Sequence, residues 1–280
     1  MNDNPVTLRD ALEKARTTGL ARLEAAMLLL HALGRSTSER AWLIAHDSDP
    51  LDAVIGSRFA ALAARRVAGE PLAYLTGERE FYGLTLQVDA RVLDPRPDTE
   101  TLVGWALHVL PPRPSPTVLD LGTGSGAVAL ALQQQRPDAI VLATDRSVDA
   151  LAVAHSNASR LGLPVRFAQA DWFQGLHGPF DLIVSNPPYI ADGDPHLAAL
   201  THEPLAALAS GPDGLDDLRT IIEQAGNRLT GGGWLLLEHG WDQAEAVTHM
   251  LTRAGFVDVQ SRADLAGTLR CSGGRWCDPG

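Results

Sequence analysis

The sequence predicts a doubly wound, Rossmann-like α/β domain preceded by a small helical bundle. Short apolar runs suited to strands buried on both faces alternate with helical segments from Val118 onward. The first of those runs leads straight into a glycine loop, Gly122-x-Gly124-x-Gly126. From Thr7 to about Ala68, by contrast, the apolar spacing is helical. With 280 residues, 45% of them hydrophobic, the chain can bury one or two ordinary cores.

Taken in order, Leu20, Leu23, Met27 and Leu30 follow three- and four-residue spacing, and Leu51, Val54, Ile55, Phe59 and Leu62 repeat it. Their apolar residues are expected to be mostly core, and His31 and His46 to be surface or satisfied core groups. Residues 1–75 are thus read as one helical domain. From 76 to 95 the pattern changes: Phe81, Tyr82, Leu84, Leu86 and Val88 tend toward alternation around Gly83, as in a hairpin or extended connector. A third region, 96–280, opens with Arg96-Pro97-Asp98-Thr99-Glu100, where Asp98 is a candidate N-cap and Glu100 suits the positive end of a helix dipole; lining the site is an equal reading of this segment. Beyond the Pro-rich stretch Pro111–Pro116, the strand Val118–Leu121 is followed by a helix from Ala127 to Gln135. The strand Ile140–Thr144 ends on Asp145, and a helix runs from Val148 to Leu161. Val165–Ala168 leads to Asp171-Trp172, and Leu182-Ile183-Val184 leads to Asn186-Pro187-Pro188-Tyr189. Gly231–Gly233 reads as punctuation before the strand Trp234–Glu238, with a helix around Gln243–Arg253. Phe256–Val259 and Gly267–Arg270 read as closing strands.

Composition excludes several classes. No apolar run approaches the ~18 residues of a membrane span. Met1-Asn2-Asp3-Asn4-Pro5 lacks the basic start and apolar core of a signal peptide. Cys271 and Cys277 form neither a disulfide framework nor a zinc site, so a reducing, cytoplasmic setting is expected. The formal net charge of −11 argues against tight non-specific nucleic-acid binding, which relies on basic phosphate contacts. His196, His202 and Glu203 are read as surface-loop residues.

Asn186–Tyr189 is the most informative stretch. Neither Pro187 nor Pro188 has a backbone N–H, so the chain cannot continue a ladder there. A rigid turn results at a strand's carboxyl end, where open α/β sheets bind ligands. The Asn186 side-chain oxygen and the Pro187 carbonyl can each accept one N–H of an amide or exocyclic NH2, and Tyr189 offers a flat wall. The glycine loop is ambiguous alone: with Ala127 it also satisfies a G-x-G-x-x-A dinucleotide fingerprint. A carboxylate at Asp145 can accept ribose hydroxyls of NAD or of S-adenosylmethionine. Asp120 before the glycines, Asp171-Trp172 beside a possible adenine, and above all the Asn-Pro-Pro-Tyr turn favour methylation of a planar nitrogen over hydride transfer.

These motifs carry a resemblance. Asp120–Gly126 resembles the first motif of S-adenosylmethionine-dependent (class I) methyltransferases, and Asn186–Tyr189 resembles the fourth motif of those that methylate amide or exocyclic nitrogens. Gly69–Gly77, Glu80–Gly83, Pro95–Glu100 and Leu236-Leu237-Glu238-His239-Gly240 resemble the peptide-chain release factor glutamine methyltransferases, the HemK-like family. The likeness covers nearly the whole chain. It implies a protein-glutamine N-methyltransferase that modifies the glutamine of the Gly-Gly-Gln loop in bacterial class 1 release factors, with S-adenosyl-L-methionine as cofactor and no metal. Carried over by motif, Gly122, Thr123, Gly124, Ser125, Gly126, Asp145, Trp172 and Asn186 would contact the cofactor. Asn186, Pro187, Pro188 and Tyr189 would hold the glutamine, with Asn186, Pro187 and Tyr189 as the catalytic group. Release factors are the partners implied, with no membrane and no direct nucleic acid. Rival readings are a glutamine methyltransferase for a ribosomal protein, a DNA or RNA amino-methyltransferase, a non-catalytic adaptor that binds S-adenosylmethionine, and an NAD dehydrogenase. The Arg270–Gly280 segment fits the family pattern loosely and carries no functional expectation.

Overall fold

A computed structural model describes residues 6–277; the reading of Met1–Pro5 falls outside them, as does the end of the Arg270–Gly280 segment. The chain divides into two compact units, residues 1–77 and 78–280. The first contains helices α1 (Leu8–Thr17), α2 (Arg22–Ala32), α3 (Arg40–Ala45), α4 (Ala53–Val67) and α5 (Leu72–Thr76). Thr7 and Asp10 form a capping box on α1, and Asp52 caps α4 by accepting from the Val54 and Ile55 amides. Helix α2 is the centre of this unit: Ala25, Leu28, Leu29 and Leu30 are fully buried. Their spacing selects one face, so Leu23 projects into solvent, as does Val54 on α4; the expectation that the periodic apolar residues are core fails for these two. His46 stacks on Trp42, and its Nδ1 lies 2.8 Å from the Trp42 carbonyl oxygen.

The second unit opens with a hairpin, β1 (Glu78–Phe81) and β2 (Leu84–Gln87), paired antiparallel around Tyr82-Gly83. After α6 (Glu100–Val109) come β3 (Thr117–Leu121), α7 (Ala127–Gln135), β4 (Ile140–Asp145), α8 (Val148–Leu161), β5 (Arg166–Gln169) and β6 (Phe180–Ser185). Then follow α9 (Asp216–Ala225), β7 (Leu229–Glu238), α10 (Ala244–Arg253), β8 (Phe256–Ala263) and β9 (Leu269–Trp276). Seven strands form one sheet in the order β5-β4-β3-β6-β7-β9-β8, with β9 antiparallel to both neighbours. The chain winds outward from β3 to β5 and then returns to β6 on the other side of β3. Ligand crevices in such sheets open at that reversal, beyond the strand carboxyl ends.

Strand alternation sorts the two faces. Leu119, Leu121, Ile183, Leu235 and Leu237 pack with Leu218, Ile221 and Ile222 of α9 and with Val247 and Leu251 of α10. The opposite face places Asp120, Val184 and Leu236 side by side in parallel register.

Three expectations are corrected here. Asp98 does not cap α6: a 3₁₀ turn, Pro97–Thr99, feeds the helix directly, and the Asp98 carboxylate pairs with Arg270 at 3.2 Å. Glu100 in the first helical turn accepts from the Tyr82 amide at 3.0 Å, which fastens the hairpin. Gly231–Gly233 does not precede a strand but lies within β7, where the register against β6 shifts between Phe180 and Leu182. A Cβ on Gly233 would sit 3.1 Å from the Phe180 carbonyl oxygen, a tight contact that a glycine relieves at this irregularity. The final strand begins at Leu269 rather than Gly267 and continues to Trp276, because Asp264–Thr268 forms the turn that joins it to β8.

Insertion of β9 between β7 and β8 demands close approach at its middle. A Cβ added to Gly273 would lie 2.6 Å from the Leu235 carbonyl oxygen and 2.5 Å from Leu236 Cδ2. Gly273→Ala is therefore expected to destabilise the fold by about 1–3 kcal/mol through overpacking against backbone. A urea unfolding midpoint equal to that of the wild type would contradict this account of the insertion.

Candidate active site

At the carboxyl edge of β3, β4 and β6 a cavity of about 200 Å³ opens, lined by the glycine loop, Asp120, Asp145, Trp172 and Asn186 among others. The loop is built by its neighbours. Gly122, Gly124 and Gly126 all have positive φ, which glycine adopts without strain. The Asp145 carboxylate accepts from the Gly124 amide and the Ser147 amide, each at 2.9 Å, tying the loop after β3 to the end of β4. Ser147, and not Asp145, is the side-chain cap of α8. Ser125 offers its carbonyl to buried Asn157 of α8 (3.0 Å), whose amide also bonds the Gln87 carbonyl of the hairpin (2.9 Å).

Asp120 is buried beneath the loop, and Thr123 donates its hydroxyl to Asp120 Oδ2 at 2.6 Å. Burial pushes this carboxyl up to about 7. The Thr123 hydroxyl and the Ala129 amide favour its charge, and nearby Asp145 opposes it. Trp172 sits just past β5 with φ 48°, its indole N–H donating to Asp217 at 3.1 Å. A Cβ on Gly122 would meet that ring at 3.5 Å, so indole and loop frame a slot. An open glycine backbone, a flat indole and two carboxylates suit a ligand with a planar base, hydroxyls and positive charge. S-adenosyl-L-methionine has all three.

A second, smaller cavity of about 90 Å³ lies on the other side of Asn186, lined also by Arg96, Pro187, Tyr189, Ile190 and Leu208. Asn186 borders both spaces; Pro188 lines the first and Tyr189 the second. The Asn186 amide Nδ2 donates to Thr99 Oγ1 at 3.2 Å, which turns Oδ1 away from that bond. None of the described residues donates to the Pro187 carbonyl. Beyond the prolines the Tyr189 and Ile190 amides both reach the Leu208 carbonyl, and Gln243 donates to the Tyr189 carbonyl at 2.9 Å. The turn is thus held from two directions.

Of the residues marked out from the sequence for ligand contact, all but Gly126 line these two adjoining cavities; Gly126 is buried behind the loop, where a Cβ would meet Leu130 and Ala154. His196 is exposed and pairs with Asp194 at 2.7 Å. Glu203 is not a surface-loop residue: it is buried, with Arg96 Nη2 at 2.5 Å, because the segment after Ile190 folds back over the second cavity. Among the described residues, no group of three or more His, Cys, Asp or Glu is arranged to hold a metal ion. No helix among the described residues is long and apolar enough to cross a membrane. Sequence reasoning assigned no role to Gln243 or Glu238; Thr99 belongs to the segment weighed between capping a helix and lining the site, and it lines the larger cavity. The signal for Glu238 was present, as a carboxylate ending a buried apolar strand in the manner of Asp145.

Comparison with known proteins agrees with this geometry. Residues 102–211 match the family model described as the methyltransferase small domain, and residues 7–77 match the PrmC N-terminal domain. The release factor glutamine methyltransferase of Bordetella pertussis is 54% identical over 91% of this chain and 95% of its own. That of Burkholderia pseudomallei is 50% identical over 98% and 99%. A methyltransferase crystal structure from Pyrococcus furiosus shares the fold, with a TM-score of 0.55, 20% identity and coverage of 78% of this chain and all of that one.

The raised Asp120 carboxyl makes a stability prediction. Between its ordinary value of 3.8 and about 7, the folded chain holds a proton that the unfolded chain has released. This carboxyl thus favours folding in acid, and that preference is lost as pH rises through about 7. Asp120→Asn removes the dependence, so the variant's Tm without ligand should gain on the wild type across that window. A Tm difference that stays constant from acid to neutral pH would count against a protonated, buried Asp120.

Proposed function

The chain belongs to the release factor glutamine methyltransferase family, and from that premise we propose the following reading of its site and substrate. The enzyme methylates the side-chain amide nitrogen of the glutamine in the Gly-Gly-Gln loop of class 1 release factors. The observation that carries the reading is Asn186, which lines both cavities while Thr99 holds its NH2. Its Oδ1 and the Pro187 carbonyl supply two acceptors for the two N–H bonds of the glutamine amide. Holding both N–H groups aims the nitrogen lone pair toward the larger cavity and favours the positive charge that develops there. The Tyr189 ring walls the smaller cavity, and the buried prolines keep the acceptors from shifting.

Gly122 to Ser125, Asp145 and Trp172 hold the cofactor in the larger cavity. When bound, S-adenosyl-L-methionine supplies an electrophilic methyl on a cationic sulfur. Asn186 is neutral, so it orients the amide without trapping that cation in an ion pair. Asp145 is already committed to two backbone amides, and its remaining acceptor capacity is what a ribose would use.

Asn186→Ala should cut turnover by about 10²–10³ while leaving the Kd for S-adenosyl-L-methionine largely in place, the scale of one lost preorganised polar contact. Mass spectrometry of the release factor after a single turnover reads the rate, and near-wild-type methylation would exclude this role.

We also propose that residues 1–75 form the docking domain for the folded release factor. A glutamine side chain alone offers few atoms for recognition, so specificity needs a larger surface. The helical unit has its own core and its own family match, and the motifs for cofactor and chemistry all lie outside it. Removing it, with the chain started at Thr76, should reduce kcat/KM far more on an intact release factor than on a short Gly-Gly-Gln peptide. An equal loss on both, from a truncated enzyme that still folds and binds cofactor, would argue that the domain only stabilises the rest.

A further inference from the structure

The smaller cavity holds a donor as well as acceptors. Arg96 lines it together with Asn186, Pro187 and Tyr189. Two buried carboxylates hold its guanidinium: Nη2 donates to Glu203 Oε1 at 2.5 Å, and Nη1 lies 3.6 Å from Asp94 Oδ2. The side chains of Glu203 and Asp94 are 3% and 7% exposed, against 34% for Arg96. Asp94 also pairs with Arg79 of β1 at 3.4 Å, and its amide donates to Glu203 Oε2 at 3.4 Å. Two arginines thus balance two carboxylates, and the group carries no net formal charge.

Arginine presents five N–H donors in a fixed fork, and among the described residues only Nη2 of Arg96 makes a hydrogen bond. The other polar side chains that line the cavity are turned elsewhere: the Asn186 NH2 to Thr99 and the Tyr189 hydroxyl to Glu238. Leu93, Ile190, Leu200, Ala207 and Leu208 complete the lining without a side-chain donor.

We infer that Arg96 is a substrate-binding residue whose free N–H groups donate to the side-chain carbonyl oxygen of the target glutamine. This rests on the role of Asn186 proposed above. A primary carboxamide has two donor hydrogens and one acceptor oxygen. The Asn186 Oδ1 and the Pro187 carbonyl satisfy the hydrogens and leave the oxygen without a partner, which is costly once it is covered. With acceptors on one side and a guanidinium on the other, only one orientation of the amide is matched. The rotated amide would set its oxygen against two acceptors and its NH2 against a cation. The oxygen is also the more nucleophilic atom of a free amide, so keeping it on Arg96 and away from the methyl secures transfer to nitrogen. The balance of charge around Arg96 lets a guanidinium stand there without opposing the cationic sulfur of the cofactor.

The test uses the full-length enzyme loaded with S-adenosyl-L-methionine and two unreactive forms of the intact release factor. In one, 2-amino-5-oxohexanoic acid replaces the target glutamine, with CH3 in place of NH2. In the other, norleucine replaces it, so the carbonyl oxygen is gone as well. The ratio of the two dissociation constants reads the carbonyl contact alone. The wild type should bind the ketone form about tenfold to a hundredfold more tightly, the scale of a hydrogen bond to a charged group. Arg96→Lys keeps a cation for Glu203 but lacks the second edge of the fork, so its ratio should fall toward one while the Kd for S-adenosyl-L-methionine stays unchanged. Asn186→Ala should keep the wild-type ratio, because its acceptor serves only the NH2. A wild-type ratio near one overturns the inference without recourse to any variant. So does an Arg96→Lys enzyme that binds both forms more weakly at the wild-type ratio, the behaviour of an arginine that only pins the segment over the cavity. Methylation of native release factor by Asn186→Ala at the wild-type rate is a separate result, and it would remove the site reading itself.

Discussion

Everything at the site depends on the parallel register of β3, β6 and β7. In parallel strands, residues opposite one another share a face and a height, so aligning Asp120 with Val184 and Val184 with Leu236 fixes what comes next. Two residues on, the three strands release Gly122, Asn186 and Glu238 at one edge. A slip of one residue between β6 and β7 would turn Asn186 and Glu238 toward opposite faces, and one between β3 and β6 would do the same to Gly122 and Asn186. The apolar partners Ile183 and Leu235, packed under α9 and α10, oppose that slip by keeping the other face buried. The chemistry at the strand ends is therefore held in place by hydrophobic contacts well below it.

Burial then gives the polar groups their character. Asp120 and Glu238 end up as acids pushed toward neutral pH, while Asp145, half-buried, is taken up with two backbone amides. Strand ends with the same residue chemistry thus acquire different duties: Asp145 builds the loop, Asp120 lies beneath it, and Glu238 sits among the supports of the turn. Depth is what separates the first from the other two: Asp120 and Glu238 are almost wholly covered, and Asp145 is not.

The site was legible in the sequence wherever an apolar run broke abruptly. Gly122 to Gly126 and Asn186 to Tyr189 each interrupt a strand with residues that do not extend it, Asp145 closes one with a carboxylate, and local chemistry alone marks them. What escaped depends on long-range pairing. Glu203 looked like a loop residue because its partner Arg96 is 107 positions away. Gly231–Gly233 looked like a turn because its place inside β7 is decided by the shift against Phe180. The apolar spacing of α2 was recognised, but the buried face was the one centred on Leu28 and Leu29, and only packing could select it. Asp98 carried the right side chain for a cap, and Arg270, far along the chain, claimed it first.

The placement of β9 has a temporal side. Among the described strands β8 pairs with β9 alone, and β7 meets β9 along one edge, so β9 is made after both of the strands it separates. While the polypeptide emerges from the ribosome, β7 carries an unpaired edge and β8 has nothing to join. The backbone partner of Glu238 is Cys271, and the salt-bridge partner of Asp98 is Arg270. The wall around the buried glutamate is thus completed only by residues translated some thirty positions after it, so a shorter nascent chain lacks that wall even with Asn186 and the glycine loop already made.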